Sequence, residues 1–122
     1  MARTVLFVDD SSTIITTVMI ALEGEPFRVV TAQDGVEAMC KVRAGLRPDV
    51  IVTDLNMQVM GGLELIAQAK AMLPHIPILV MSVETFQLPR DEARRLGAAG
   101  WIVKPIGREA LIDTLNLVLR TG

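Results

Sequence analysis

Five short runs along this chain are largely apolar. The runs cover residues 4–8, 27–32, 50–53, 78–81 and 101–103. A strand with one solvated face alternates apolar and polar residues, whereas nearly continuous apolar runs are typical of parallel strands that are covered on both faces. The pattern therefore predicts five buried parallel strands.

The segments between these runs have helical periodicity. In the first segment the spacing i, i+3, i+4, i+7 is followed by Ile15, Val18, Met19 and Leu22. Ser11 or Ser12 can cap this helix, and Gly24 can end it. Residues 13–19 are rich in β-branched side chains, which by propensity favour a strand, but the periodicity outweighs that preference. Further helices are predicted at 36–44, 63–73, 90–96 and 109–119.

The alternation of strands and helices predicts one topology. Right-handed crossovers between parallel strands give an α/β fold of (βα)5 type, a doubly wound flavodoxin-like fold with strand order 2-1-3-4-5. Ligands bind such sheets where the strand order reverses, between strands 1 and 3. The sequence therefore also predicts where a functional site lies.

Polar residues follow the predicted strands at that edge of the sheet. Asp9 and Asp10 follow the first strand, Asp54 the third, Ser82 the fourth and Lys104 the fifth. Two carboxylates 4 Å apart repel by roughly 4 kcal/mol near a protein surface, so such a site raises a pKa or takes a cation.

Mg²⁺ and a phosphoryl group suit this set of side chains. Mg²⁺ favours one or two carboxylates, several waters and a phosphate oxygen. Asp54 can then act as the nucleophile that forms an acyl phosphate. Lys104 supplies a positive charge for one phosphate oxygen, and Ser82 can hydrogen-bond another.

Composition narrows the function classes. The 122 residues fit one domain over 1–122, and 51% of them are hydrophobic, which is enough for a sheet buried on both faces. A net charge of −2 gives no electrostatic reason to expect nucleic-acid binding.

Cys40 is the single cysteine and there is no apolar leader, so a cytoplasmic location is expected. No apolar run approaches the roughly 20 residues of a membrane span.

At its motifs the chain resembles the receiver domain of bacterial two-component response regulators, over essentially its whole length. The matching pieces are Asp9-Asp10, Asp34-Gly35, Glu37-Ala38, Asp54-Leu55-Asn56-Met57, Gly62, Ser82, Leu96-Gly97-Ala98 and Lys104-Pro105. The resemblance implies that a sensor histidine kinase phosphorylates Asp54. It also implies that Asp10, Asp54 and the main-chain carbonyl of Asn56 bind Mg²⁺, with Asp9 acting mostly through water.

The resemblance further implies a switch. Ser82 and Lys104 would contact the phosphoryl group, and Trp101 stands where the family carries an aromatic residue that changes rotamer on activation. Such a domain is not an enzyme in the usual sense, because it catalyses only its own phosphoryl transfer and dephosphorylation. Its output would be a protein target on the face formed by helix 4, strand 5 and helix 5.

Within this family the chain is most similar to stand-alone chemotaxis regulators, whose target is the flagellar motor or another signalling protein. Asn56 and Glu84 flank the site as in some chemotaxis members. Departures from the family pattern are Gln58, Gly61, Val83, Pro89 and Trp101. Val83 is bulkier than the usual residue and is expected to narrow access to the phosphoryl site.

Three alternatives remain open from the sequence. The chain can be a receiver cut from a longer transcription factor or hybrid kinase. A Mg²⁺-dependent phosphohydrolase with an aspartyl nucleophile is the enzyme alternative, although such enzymes carry Asp-x-Asp after strand 1 and this chain has Asp9-Asp10-Ser11. A flavodoxin would share the fold, but two aspartates in its phosphate-binding loop would repel the flavin phosphate.

Overall fold

The computed structural model describes residues 2–57, 59–83, 87–104 and 106–120. Strands and helices alternate along this part of the chain. The strands are β1 (Arg3–Val8), β2 (Phe27–Ala32), β3 (Val50–Asp54), β4 (Ile78–Ser82) and β5 (Gly100–Val103). The helices are α1 (Ser12–Ala21), α2 (Gly35–Arg43), α3 (Gly62–Met72), α4 (Gln87–Arg95) and α5 (Arg108–Arg120). Within those ranges, no helix is long and apolar enough to cross a membrane.

The strands form one parallel sheet in the order β2-β1-β3-β4-β5, which confirms the predicted fold. Successive side chains of a strand point to opposite faces. Leu6 and Val8 accordingly pack in the layer under α2 and α3, whereas Val5 and Phe7 pack in the layer under α1 and α5. Both faces of the central strands are buried, which is why those strands are apolar at nearly every position.

The pairing register brings the carboxyl ends of the inner strands together. Val8 of β1 lies beside Thr53 of β3, and Asp54 lies beside Met81 of β4. Ser82 lies beside Val103 of β5. The polar residues that follow these strands therefore meet at one edge of the sheet, at the predicted reversal of strand order.

Helix α1 begins as predicted, and Ile15, Val18 and Leu22 of the predicted stripe face the core, but Met19 does not. Ser11 is its N-cap, and the Ser11 hydroxyl oxygen accepts a hydrogen bond from the Ile14 N–H at 3.3 Å. The prediction that Met19 belongs to the inward stripe is wrong, because Met19 is 48% exposed. Val18 is buried, and a residue one position later lies about 100° further around the helix.

Helix α4 begins earlier than the sequence indicates. The predicted start was residue 90, whereas the helix runs from Gln87 to Arg95 and contains Pro89 in its first turn. Proline is tolerated in the first turn of a helix because the main-chain N–H that it lacks would have no partner inside the helix.

Candidate functional site

Asp54 is the last residue of β3, and the residues before and after it both donate hydrogen bonds to it. Its carboxylate Oδ1 accepts a hydrogen bond from the Leu55 N–H at 2.9 Å. The hydroxyl of buried Thr53 donates to the main-chain oxygen of Asp54 at 2.9 Å. These contacts fix the carboxylate at the edge of the sheet, with 12% of the side chain exposed.

Lys104 joins two strand ends through its ammonium group. Its Nζ donates to Asp9 Oδ2 at 2.9 Å and lies 3.2 Å from Asp54 Oδ1. Asp9 is only 1% exposed, and its Oδ1 accepts a hydrogen bond from the Ser11 N–H at 2.9 Å. The lysine therefore bridges two buried or nearly buried carboxylates across the reversal point of the sheet.

Asp10 completes an acidic cluster. One carboxylate oxygen each from Asp9, Asp10 and Asp54 lies within 4.8 Å of the others. Asp10 is exposed, Asp54 is half-buried and Asp9 is buried, so the cluster opens toward solvent on the side of Asp10. Hard oxygen ligands in this arrangement could hold a divalent cation.

Burial and neighbouring charges shift the pKa values of Asp54 and Lys104. Burial raises the pKa of the Asp54 carboxyl, the charge of Asp9 raises it further, and Lys104 only partly offsets both. Burial lowers the pKa of the Lys104 ammonium, but the hydrogen bond to Asp9 and the charges of Asp54 and Asp9 outweigh burial, so this pKa lies above its usual value. One ammonium does not balance the carboxylates around it.

Gly62 allows the loop after Asp54 to close onto the strand. Its N–H donates to the main-chain oxygen of Leu55 at 2.8 Å, and an added Cβ would overlap the main-chain oxygen of Asp54. Any other residue here would push away the segment that carries Asp54. Gly62 was one of the motif residues in the sequence, but only the structure shows that a glycine is required there because the main chain of Asp54 lies so close.

The remaining predicted site residues lie on β4, on β5 and in the loop after β3. Ser82 is buried at the end of β4, and its main-chain oxygen accepts the Lys104 N–H at 2.8 Å. Asn56 is exposed, two residues beyond Asp54. Trp101 is half-buried on β5 and packs against the core layer that contains α2, α3 and Ala93 of α4. The predictions on Gln58, Glu84 and Pro105 fall outside the described residues.

Two contacts were not predicted from the sequence. The guanidinium of Arg90 lies over the ring of Trp101, 5.9 Å from its centroid, in cation–π geometry. The Thr53 hydroxyl holds the main chain at Asp54. No periodicity or spacing relates Arg90 to Trp101, whereas Thr53 was visible as the polar member of an apolar run.

The family model of the response regulator receiver domain matches residues 5–116. This chain belongs to that family. Among curated relatives, the transcriptional regulatory protein PrrA of Mycobacterium tuberculosis is 34% identical over 116 residues, which are 95% of this chain and 49% of PrrA. The chain thus spans about half the length of such a relative.

Solved structures of similar receivers agree with the fold in detail. The chemotaxis response regulator CheY4 of Vibrio cholerae is 38% identical, with a TM-score of 0.89 over 97% of this chain and 99% of CheY4. The phosphorylated cyanobacterial phytochrome response regulator RcpA is 27% identical, with a TM-score of 0.85 over 100% of this chain and 97% of RcpA. Receiver domains are regulatory modules that work between histidine kinases and downstream effectors, and this chain is one of them.

Proposed function

We propose that this receiver domain accepts a phosphoryl group on Asp54 from a histidine kinase, in a reaction that depends on Mg²⁺. The observation that carries the proposal is the Lys104 ammonium between Asp9 and Asp54, with Asp10 completing the acidic cluster. RcpA, a relative of the same fold, was crystallised phosphorylated. The test is incubation with a small phosphodonor with and without Mg²⁺, followed by the intact mass.

The chemistry is the transfer of one phosphoryl group from a phosphohistidine of the kinase to the Asp54 carboxylate. A carboxylate oxygen of Asp54 attacks the phosphorus of a phosphohistidine, the P–N bond breaks, and the imidazole leaves with its electron pair. Lys104 is placed to pair with an oxygen of the transferred group, since its Nζ already lies 3.2 Å from Asp54 Oδ1. Hydrolysis of the acyl phosphate by water would return the carboxylate.

The donor set fits Mg²⁺. We assign Asp10, Asp54 and the main-chain carbonyl of Asn56 as the ligands that would hold it, with buried Asp9 acting through water. Bound Mg²⁺ would neutralise charge on the phosphoryl oxygens. Burial, and to a lesser extent the charge of Asp9, raise the pKa of the Asp54 carboxyl, and a bound cation would favour its ionised form, which supports the proposal.

Changing Asp10 to Asn is expected to weaken Mg²⁺ binding about tenfold or more, because a charged ligand becomes a neutral one. Changing Asp9 to Asn is expected to weaken Mg²⁺ binding less, because the Asp9 carboxylate already accepts hydrogen bonds from Lys104 and from the Ser11 N–H. Titration calorimetry with MgCl₂ measures both. Asp113→Asn, on the exposed surface of α5, is the matched control. Equal affinity of the Asp10 variant and the parent would contradict the assignment.

We further propose a chemotaxis-type output in the cytoplasm. CheY4, which is 38% identical over nearly its whole length, is named a chemotaxis regulator, and this supports the proposal. The target would be the flagellar motor or another signalling protein, bound on the face formed by α4, β5 and α5. The second candidate is the receiver of a longer transcriptional regulator, which the 34% identity to half of PrrA favours.

The proposed switch runs from Ser82 to Trp101. The phosphoryl group adds about −2 charge and strong acceptor oxygens, and the Ser82 hydroxyl would follow it by moving the segment after β4. Val83, which is 70% exposed, lies in that segment. If Trp101 changes rotamer, its contact with Arg90 breaks, at about 0.5–1 kcal/mol for an exposed cation–π pair.

Ser82→Ala is expected to leave phosphorylation of Asp54 intact but to abolish the response at Trp101. The measurement is amide hydrogen exchange over 87–104 and Trp101 fluorescence, each with and without beryllofluoride and Mg²⁺. The control is Thr114→Ala, which removes a hydroxyl that donates only within α5, to the main-chain oxygen of Ala110. An unchanged exchange response in the Ser82 variant, with beryllofluoride shown to be bound at Asp54, would rule out this route.

A further inference from the structure

Helix α1 presents an apolar surface that the fold leaves uncovered. None of the ten residues of α1 is charged, whereas each of the other four helices contains both acidic and basic residues. Val18 is buried against the sheet, while Met19 is 48% exposed and Ile20 is 63% exposed. The exposed hydroxyl residues of α1 lie within residues 12–17, so the uncovered apolar side chains are at its C-terminal end. Neighbouring large apolar side chains that are exposed to solvent are typical of contact surfaces.

This surface is concave. Side chains of α1 and β2 and of the turn between them line a groove of about 420 Å³. We call it the α1–β2 groove and define it by Met19, Ile20, Glu23, Glu25, Phe27 and Val29. Its floor is apolar, its charged groups lie in the turn, and Thr16 of α1 also lines it. A groove of this form fits the apolar face of an amphipathic helix.

The groove lies at the opposite edge of the sheet from the phosphoryl site. Phe27 is the first residue of β2 and pairs with Arg3, the first residue of β1. Asp9 and Asp54 lie at the other ends of parallel strands. No residue of the acidic cluster lines the groove. A partner could therefore occupy the groove while Asp54 reacts with a kinase.

The charged residues of the groove indicate which kind of partner it can bind. Glu23 is exposed and forms no ion pair within the described part of the chain, and Glu25 binds Arg108 at 2.9 Å. No described basic side chain lines the groove. A second copy docked by two-fold symmetry would bring the acidic turns together, and an anionic lipid surface would be repelled. A segment with lysines or arginines beside its apolar face is complementary.

We propose that the α1–β2 groove binds a basic amphipathic helix of a partner protein, and that it does so whether or not Asp54 is phosphorylated. The apolar face of that helix packs on Met19, Ile20 and Phe27, and its basic residues face Glu23. This docking site is separate from the proposed output face on α4, β5 and α5, and it does not depend on the proposed phosphoryl transfer.

The test uses the full chain and a designed leucine–lysine peptide of about five helical turns. Fluorescence anisotropy of the labelled peptide gives the affinity, and ¹H–¹⁵N shifts locate the contact. Binding is expected with shifts at Ile20, Glu23 and Phe27, and with the same affinity with and without beryllofluoride and Mg²⁺. A peptide with its leucines and lysines in scrambled order, and one with glutamate for lysine, are expected not to bind.

Two exposed substitutions test the two halves of the interaction. Glu23→Lys reverses the charge of the rim and is expected to weaken binding about tenfold, as is Ile20→Gln, which removes apolar contact. Met72→Gln is the matched control for the apolar change, because Met72 is 42% exposed on α3. Glu109→Lys, on the exposed start of α5, is the control for the charge change. Neither control should alter the affinity.

Several outcomes would overturn the proposal. Equal binding of the scrambled or glutamate peptide would show that the groove does not select a basic amphipathic helix, as would shifts located elsewhere. A dimer of the parent in sedimentation that Ile20→Gln dissociates would make a second copy the occupant. Binding to anionic vesicles that Ile20→Gln abolishes would make a membrane the occupant. Phosphorylation of Asp54 is measured separately by mass, so failure here leaves the proposed function standing.

Discussion

Changing Asp54 to Asn is expected to abolish phosphorylation of the protein by a small phosphodonor and Mg²⁺. The amide is nearly the same size as the carboxylate but cannot act as the nucleophile that forms an acyl phosphate. Intact mass is expected to show the addition of one phosphoryl group to the parent and none to the variant. Asp113→Asn, a matched change on the exposed surface of α5, is expected to be labelled like the parent.

Loss of labelling in the Asp54 variant should not come from unfolding. Burial first, and then the charge of Asp9, raise the pKa of the Asp54 carboxyl above its value of 3.8 in an unfolded chain. The folded state therefore binds the proton more tightly, and stability falls as the pH rises through the folded pKa. At neutral pH the ionised Asp54 is unfavourable, so the Asn variant is expected to be at least as stable as the parent in urea. A variant that is fully folded yet still labelled would identify a different acceptor.

The fold and the location of the site could be predicted from the sequence because both follow from simple patterns. Apolar runs separated by helical segments allow few topologies, and the reversal of strand order fixes which strand ends meet. Asp9 and Asp54 had to approach one another once β1 and β3 were neighbours. Lys104 reaches them because the Lys104 side chain spans the end of β4, which separates β3 from β5.

Other features could not be predicted because they depend on tertiary contacts. The spacing of Ile15, Val18, Met19 and Leu22 fits an inward stripe, yet Met19 is exposed, because the helix turns by about 100° from buried Val18 to the next residue and the sheet covers only the side of Val18. The contact of Arg90 with Trp101 depends on how α4 packs against β5. The closeness of Gly62 to Asp54 depends on the path of the connecting loop.

Lys104 is the single positive charge seen between two carboxylates in the described site, and its removal is expected to destabilise the metal-free protein strongly. Lys104→Met keeps the length of the side chain but leaves Asp9 and Asp54 facing each other with no counter-ion from that residue. Breaking a buried ion pair by removing one partner costs about 3–5 kcal/mol. We expect about 3 kcal/mol here, because 13% of the Lys104 side chain and 12% of the Asp54 side chain are exposed. Urea unfolding in EDTA measures this change.

The pH dependence of this effect has a defined sign. The pKa of Lys104 is raised above 10.5, so its stabilising effect is complete below that pH and is lost as the pH rises through the folded pKa. The difference between parent and variant should therefore be constant near neutral pH and shrink in strong base. It should also shrink in acid, because without Lys104 the pKa of Asp54 rises further and protonation relieves the repulsion.

Three further measurements distinguish the loss of a counter-ion for Asp9 and Asp54 from a general loss of packing. Arg95→Met breaks an exposed pair with Glu92 and is expected to cost less than about 1 kcal/mol. The double variant Asp9→Asn, Lys104→Met removes one carboxylate as well and should recover most of the loss. Millimolar Mg²⁺ should recover part of the loss in Lys104→Met, since a cation in the cluster replaces the missing charge. If neither Mg²⁺ nor Asp9→Asn restores stability, the lysine acts through its packing and the bridge between Asp9 and Asp54 carries little energy.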